Sequence, residues 1–163
     1  MRILMYTGYY LPYVSGMTIY VRRLAEGMAR RGHQVTVLCA RHDPSLPPVA
    51  VENGVRIERS PVIASAGKGV VAPLMWRDQM RLLADHDVFH RHVPGMGDSW
   101  LSTRIAKSME KPVVFTHHCD LYLPFGVIND AANAISEHTS RQRRGDMGTS
   151  VGNEPDHAYS RSK

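Results

Sequence analysis

An open α/β fold built on parallel strands is predicted from three observations. Three short apolar runs each end in polar or glycine-rich sequence. Ile3–Thr7 runs into the Gly8–Gly16 loop, Val88–His92 into Pro94, Gly95 and Gly97, and Val113–Thr116 into His117-His118-Cys119-Asp120. Ile3–Thr7 is a near-continuous apolar run, as a strand buried on both faces requires. The first run is followed by an amphipathic helix and a second apolar strand, a unit that closes as a right-handed crossover between parallel strands. The polar clusters also fall at the carboxyl ends of the runs, where open α/β sheets bind ligands.

Each element follows from local pattern. Ile3–Thr7 is the first strand and Gly8–Gly16, rich in Tyr, Pro and Gly, its exit loop. A helix is predicted over about Met17–Arg31: Tyr20, Val21, Leu24, Ala25 and Met28 share one face, with Arg22, Arg23, Glu26 and Arg30 largely opposite. Arg30 and Arg31 favour its C-terminus and Gly32 suits the left-handed cap. His33–Ala40 is the second strand, through Val35, Val37 and Leu38, and the acidic, proline-bearing stretch His42–Pro48 is a loop. Asn53-Gly54 is a turn before a short strand, Val55–Glu58, and Ala64–Gly69 reads as a mobile loop of small residues. A helix over about Val71–Ala84 would turn Met75, Trp76, Met80 and Leu83 inward. Val88–His92 is a strand, Ser99–Ser108 a helix capped by Asp98 or Ser99, and Val113–Thr116 a strand. Ile128–Thr139 fits a helix with Ile128, Ala131, Ala132 and Ile135 inward. From Arg141 to Lys163 the only large aliphatic residues are Met147 and Val151, so 141–163 is expected to be a disordered basic tail.

The 163 residues suit one domain with a buried core. Apolar and charged fractions of 43% and 21% are those of a soluble protein. The formal net charge of +5 favours anionic ligands or membrane headgroups, and solubility alone accounts for it equally well. No aromatic residue interleaves the Arg141–Arg144 run for base stacking, which argues against nucleic acid as a partner. Two cysteines, Cys39 and Cys119, make no disulfide framework and suit a reducing cytosol. Met1-Arg2 leads into an apolar run broken at Gly8, unlike a secretory signal, and no segment approaches the roughly 18 apolar residues that span a bilayer. The expectation is a cytoplasmic location, with peripheral contact at a membrane surface left open.

Two places carry candidate chemistry. Ser15-Gly16 lies just before a helix N-terminus, where exposed N–H groups and the helix dipole favour anions, and Gly16 lets a phosphate approach the backbone without a Cβ in the way. A plain turn glycine explains the loop equally well. The second place is the group His90, His92, His117, His118, Cys119 and Asp120. Strand alternation points His90 and His92 the same way, and does so for His118 and Asp120 if the strand continues past Thr116. Such a cluster suits a zinc or iron site, acid–base work, or hydrogen bonding to a polyhydroxyl substrate. For any single histidine a satisfied core polar group is the better reading; for the cluster it is not.

The Gly8–Gly16 loop with its helix, Arg31–Val37, Asn53–Ile57, Asp87–His92 and Pro112–Asp120 occur in an order that resembles the N-terminal domain of the family-four retaining glycosyltransferases. The resemblance covers most of Met1 to about Ser140. It implies a Rossmann-like parallel sheet with helices on both faces, as an acceptor-side lobe of a GT-B fold over residues 1–140. It also implies transfer, by the complete enzyme, of a sugar from a nucleotide-sugar donor to an acceptor hydroxyl with retention, needing no cofactor and no metal. By position, Gly16 would offer its N–H to the donor diphosphate. His118, in the Thr-x-His-x-Asp pattern of Thr116–Asp120, would hydrogen-bond a sugar hydroxyl or developing charge, with Asp120 orienting ligand or loop beside it as the second catalytic residue. His92 and Ser15 would meet the acceptor. The chain departs from the family in having Ser15-Gly16 where two glycines are common, and Cys119 where glycine is frequent.

In the family, an Arg, a Lys and a pair of glutamates of the C-terminal lobe hold the donor. The sequence ends before such a lobe and before the last strands of the N-terminal one. The expectation is an incomplete single lobe, inactive alone, that a separate donor-binding lobe would complete. Two rival readings stand beside it: a metal-dependent hydrolase using His90, His92, His117 or His118, and Cys119, and a non-catalytic module that docks through the open cleft wall.

Overall fold

Strands buried along nearly their whole length, with side chains pointing to alternate faces, build a six-stranded sheet with a core on each face. The computed structural model describes residues 1–66, 69–93 and 99–118, all within one unit of the chain, Met1–Asp120. In order the elements are β1 (Arg2–Tyr6), α1 (Gly16–Arg30), β2 (Gln34–Arg41), β3 (Val49–Glu52), β4 (Val55–Pro61), β5 (Ala64–Ala66), β6 (Gly69–Val71), α2 (Leu74–Ala84), β7 (Val88–Val93), α3 (Ser99–Ser108) and β8 (Val113–His117). The main sheet runs β3-β4-β2-β1-β7-β8, parallel except for the antiparallel pair β3–β4. The chain winds outward from β1 through β2 to β4, then returns to β7 on the other side of β1. The switch point is therefore between β1 and β7, the place where a doubly wound sheet opens a crevice.

On one face Ile3, Met5, Val35, Val37, Cys39, Val55 and Ile57 pack against Val21 and Ala25 of α1. On the other, Leu4, Tyr6, Leu38, Ala40 and Phe89 pack against Met75, Leu82 and Leu83 of α2 and Ala106 of α3. The Rossmann-like arrangement with helices on both faces is thus present. Arg91 lies on the second face, 1% exposed, with Nη1 donating to Ser102 Oγ at 2.7 Å and the guanidinium 4.5 Å from the Tyr6 ring centre.

The helix ends follow the sequence. α1 closes on Gly32 (φ +83°), whose N–H donates to Ala29 O while His33 N–H donates to Met28 O. This paired pattern requires the left-handed residue that glycine supplies. Asn53 (φ 50°) and Gly54 (φ 78°) both take the left-handed conformation of a two-residue hairpin turn joining β3 to β4.

Three local expectations are corrected. β3 was not anticipated; it is a short, largely exposed edge strand, held in place by the Asn53-Gly54 turn and by its pairing with β4. The small-residue stretch after Ile63 forms the hairpin β5–β6 in place of a loop, so Val71 is a strand residue and α2 begins at Leu74. The inner face of α2 is Met75, Gln79, Leu82 and Leu83, whereas Met80 is 45% exposed. Gln79 can face inward because its Nε2 donates to Ser102 O at 2.7 Å, giving the buried amide a partner on α3. Asp98, Cys119, Asp120, the expected helix Ile128–Thr139 and the 141–163 tail lie outside the described residues.

Candidate functional site

The carboxyl end of β1 leads through Thr7 and Gly8 into the loop that starts α1. This loop is tied to β2: Thr7 N–H donates to Leu38 O and Ala40 N–H to Gly8 O, each at 3.1 Å. Tyr10 is buried in the α1-side core, and Tyr9 stacks on Tyr13 with ring centres 4.3 Å apart. Ser15 is the N-cap of α1. Its Oγ accepts from Thr18 N–H at 3.2 Å and its own N–H donates to Thr18 Oγ1 at 2.8 Å, a reciprocal capping box. Thr18 in turn donates to Tyr13 O at 2.8 Å. The loop is therefore fixed to the first turn of the helix. Gly16 and Met17 have no carbonyl within the helix to bond, as at every helix start. A Cβ at Gly16 would meet nothing within 4 Å, so packing does not demand glycine there.

Parallel pairing of β7 with β8 sets His92 beside Thr116 and His90 beside Val114. Alternation puts His90, His92, Thr116 and His118 on the α1 face. There His90 Nε2 lies 2.8 Å from Thr116 Oγ1, and His92 Nδ1 lies 3.1 Å from His118 Nε2. The His90 and His92 rings are 4.3 Å apart and tilted by 31°. Tyr20, one turn into α1 from Gly16, sets its ring edge-on to His118 at 5.0 Å and to His92 at 6.2 Å. The α1 N-terminus and the ends of β7 and β8 thus meet at one rim, beside the switch point.

Burial decides the charge of this column. His92 is 1% exposed, and burial together with the neighbouring His90 and His118 pushes it down to about 3. Burial and His118 lower His90, while burial and His117 lower His118. Stacked imidazoles in a poorly solvated place disfavour charge on any of them.

His92 and His118 meet at the rim, and Gly16 begins the helical turn that carries Tyr20 onto both. His92 lies beneath His118, so a molecule at the rim would meet His118 first. Ser15 is present, with its hydroxyl engaged in the helix cap. His117 is exposed on β8, and alternation turns it to the opposite face from His118. Among the described residues no group of three or more His, Cys, Asp or Glu side chains could hold a metal ion. Two participants were missed. Tyr20 was assigned to the buried helix face but is 46% exposed and packs on the histidines. Thr116 was read as a strand residue only, although its place two residues before His118 already put it on the same face.

Two shallow hollows of about 500 Å³ lie elsewhere. One involves Arg2, His33, Gln34, Asp85 and His86, at the amino ends of the strands, away from the crevice. The other is walled by Leu11, Pro12, Val14, Leu46, Pro47 and Arg59, on the outer side of the β1–α1 loop. Among the described residues no helix is long and apolar enough to cross a membrane.

The glycosyl transferase 4-like domain family matches residues 15–146. The phosphatidyl-myo-inositol mannosyltransferases of Mycobacterium tuberculosis and Mycobacterium bovis are 34% identical over 121 residues, covering 72% of this chain and 31% of theirs. The chain therefore spans about a third of the length of the curated relatives it matches. A sucrose-phosphate synthase from Thermosynechococcus elongatus has 18% identity and a TM-score of 0.48 over 73% of this chain and 33% of that one.

Proposed function

This chain belongs to the glycosyl transferase 4-like family, and from that membership we propose that it supplies the acceptor-side wall of a retaining, GT-B sugar-transfer site. The substrates are a nucleotide-sugar and an acceptor hydroxyl. The single observation that carries the reading is the meeting of the α1 N-terminus, Tyr20 and the His92–His118 pair at one rim of the sheet. Gly16 offers its N–H to the donor diphosphate, supported by the open space at its Cα and the free end of the helix dipole. His118 hydrogen-bonds the transferred sugar or the charge that develops as the glycosidic bond to the diphosphate breaks. Asp120, two residues on, orients ligand beside it. Ser15 and His92 stand on the acceptor side, Ser15 at the loop and His92 through His118.

The similarity to phosphatidyl-myo-inositol mannosyltransferases favours a mannosyl donor and a lipid-linked polyol acceptor, which accords with work at a membrane surface. Sugar transfer depends on positioning both substrates and stabilising charge on the leaving diphosphate. One wall provides part of that, so turnover requires a donor-binding lobe facing this one. The test is titration of the 15N-labelled chain with a panel of nucleoside diphosphate sugars, alongside a nucleotide-release assay. Amide shifts concentrated at Gly16, Met17, Tyr20 and His118, without release, are the expected result. Shifts confined to other surfaces would refute the site, and robust release by the 163-residue chain alone would refute the need for a second lobe.

A further inference from the structure

We propose that His92 is a positioning residue: its Nδ1–H donates to His118 Nε2 and so holds His118 as the Nδ1–H tautomer, which presents a hydrogen-bond donor, not an acceptor, to whatever occupies the rim. The inference deepens the reading of His118 as a ligand-facing group and rests on it for its functional meaning.

The argument starts from the 3.1 Å separation of His92 Nδ1 and His118 Nε2, which requires one proton between the two nitrogens. A neutral imidazole carries one N–H and one bare nitrogen. If His118 donated from Nε2, His92 would have to keep its own proton on Nε2. That atom is buried and has no hydrogen-bond partner among the described residues. The result would be an orphan N–H. If His92 donates from Nδ1, its Nε2 is a bare nitrogen, an unsatisfied acceptor. Buried orphan N–H groups are the rarer and costlier of the two. His118 must then carry its proton on Nδ1, the ring nitrogen that His92 does not use.

The surroundings keep His92 in this role. His90 from β7 lies against its ring, Tyr20 from α1 meets it edge-on, and His118, at the end of β8, takes its Nδ1. His90 sends its own Nε2 to Thr116 Oγ1. Because burial and the flanking imidazoles keep His92 neutral near pH 7, it has one ring proton to give. A fixed neutral donor beside a departing diphosphate oxygen or a sugar hydroxyl stabilises it without reorganisation.

The test is a long-range 1H–15N spectrum of the full 15N-labelled chain without ligand, which reads which ring nitrogen of each histidine is protonated. His118 should be protonated at Nδ1 and bare at Nε2. His92→Asn, whose side-chain amide can stand in for Nδ1–H, should retain that pattern; His92→Leu should release His118 to the Nε2–H form. His86 is the folding control, because its Nδ1 is 2.6 Å from Leu82 O and must donate there, at the other end of the sheet. His118 protonated at Nε2 in the unaltered chain, or still at Nδ1 in a folded Leu variant, would overturn the proposal. If the Leu variant loses the His86 pattern, the unaltered chain and the Asn variant decide. Failure of nucleoside diphosphate sugars to perturb the rim would instead count against the functional reading, with the tautomer result standing.

Discussion

Replacing Gly16 with alanine separates a ligand-contact glycine from a structural one. Gly16 is the first residue of α1, is absent from the residues with positive φ, and an added Cβ would meet no atom within 4 Å. The folded chain therefore has no steric objection to alanine. The unfolded chain loses conformational freedom, which favours the native state by about 0.4–1 kcal/mol. For a domain of this size that is a rise in Tm of roughly 1–4 °C. The ligand side moves the other way. A diphosphate oxygen drawn to the Gly16 N–H makes a charge-assisted hydrogen bond of about 1.5–3 kcal/mol. A methyl group that holds the phosphate off forfeits most of it, which weakens binding roughly ten- to a hundredfold. Thermal denaturation and calorimetric titration with a nucleoside diphosphate sugar give both numbers on one preparation. A Gly16→Ala chain that binds as tightly as the parent, or that melts several degrees lower, refutes the reasoning.

Gly32→Ala should show the contrary pattern, with binding intact and stability lower by about 1–2 kcal/mol in urea. Its Cβ also meets open space, but φ +83° is a conformation that alanine resists. Glu58, 5% exposed, is pushed up by burial, but hydrogen bonds from Arg81 and Arg56 more than offset this and hold it below its ordinary value. The folded pKa lies below the unfolded one, so the stabilisation is present above about pH 4.3 and is lost as pH falls through the folded value. Glu58→Gln should cost about 1.5–3 kcal/mol near neutrality and flatten that acid limb in denaturant titrations. His92 adds a separate slope. With a folded pKa of about 3 against an unfolded value near 6.5, the unfolded chain binds the extra proton across that window. Stability should therefore fall on acidification by up to about 1.4 kcal/mol per pH unit. His90 and His118, also held below their ordinary values, add to the same limb, so His92→Asn should reduce the slope without abolishing it; an unchanged slope would refute the contribution of His92.

The elements legible in the sequence are those whose burial is set by a single local pattern. β1 and β2 are short, largely apolar runs between turn signals, β7 opens on Val88-Phe89, and α1 carries its stripe and Gly32 in plain view. β3 escaped because an edge strand exposes most of its side chains and is held by a partner that the sequence does not name. The face of α2 was rotated because only the Ser102 carbonyl on α3 makes a buried Gln79 acceptable. At the site, alternation foretold that His90 and His92 share a face. That His118 would lie within hydrogen-bond reach of His92 depended on the β7–β8 register, His92 beside Thr116, which is a tertiary fact. Tyr20 was misassigned because helical periodicity identifies a stripe but not what a residue at its margin touches near a helix start.

The alternation along β7 divides labour by the parity of residue number. Phe89 and Arg91 anchor the strand to the α2–α3 layer, while His90 and His92 face α1 and the rim. An alanine walk down this strand should cost stability at every position, since His90 and His92 are buried as Phe89 and Arg91 are, while only the even positions should also change the response to ligand at the proposed rim. The contacts that anchor the strand to the α2–α3 layer and those that face the proposed rim thus share one backbone but no side chain.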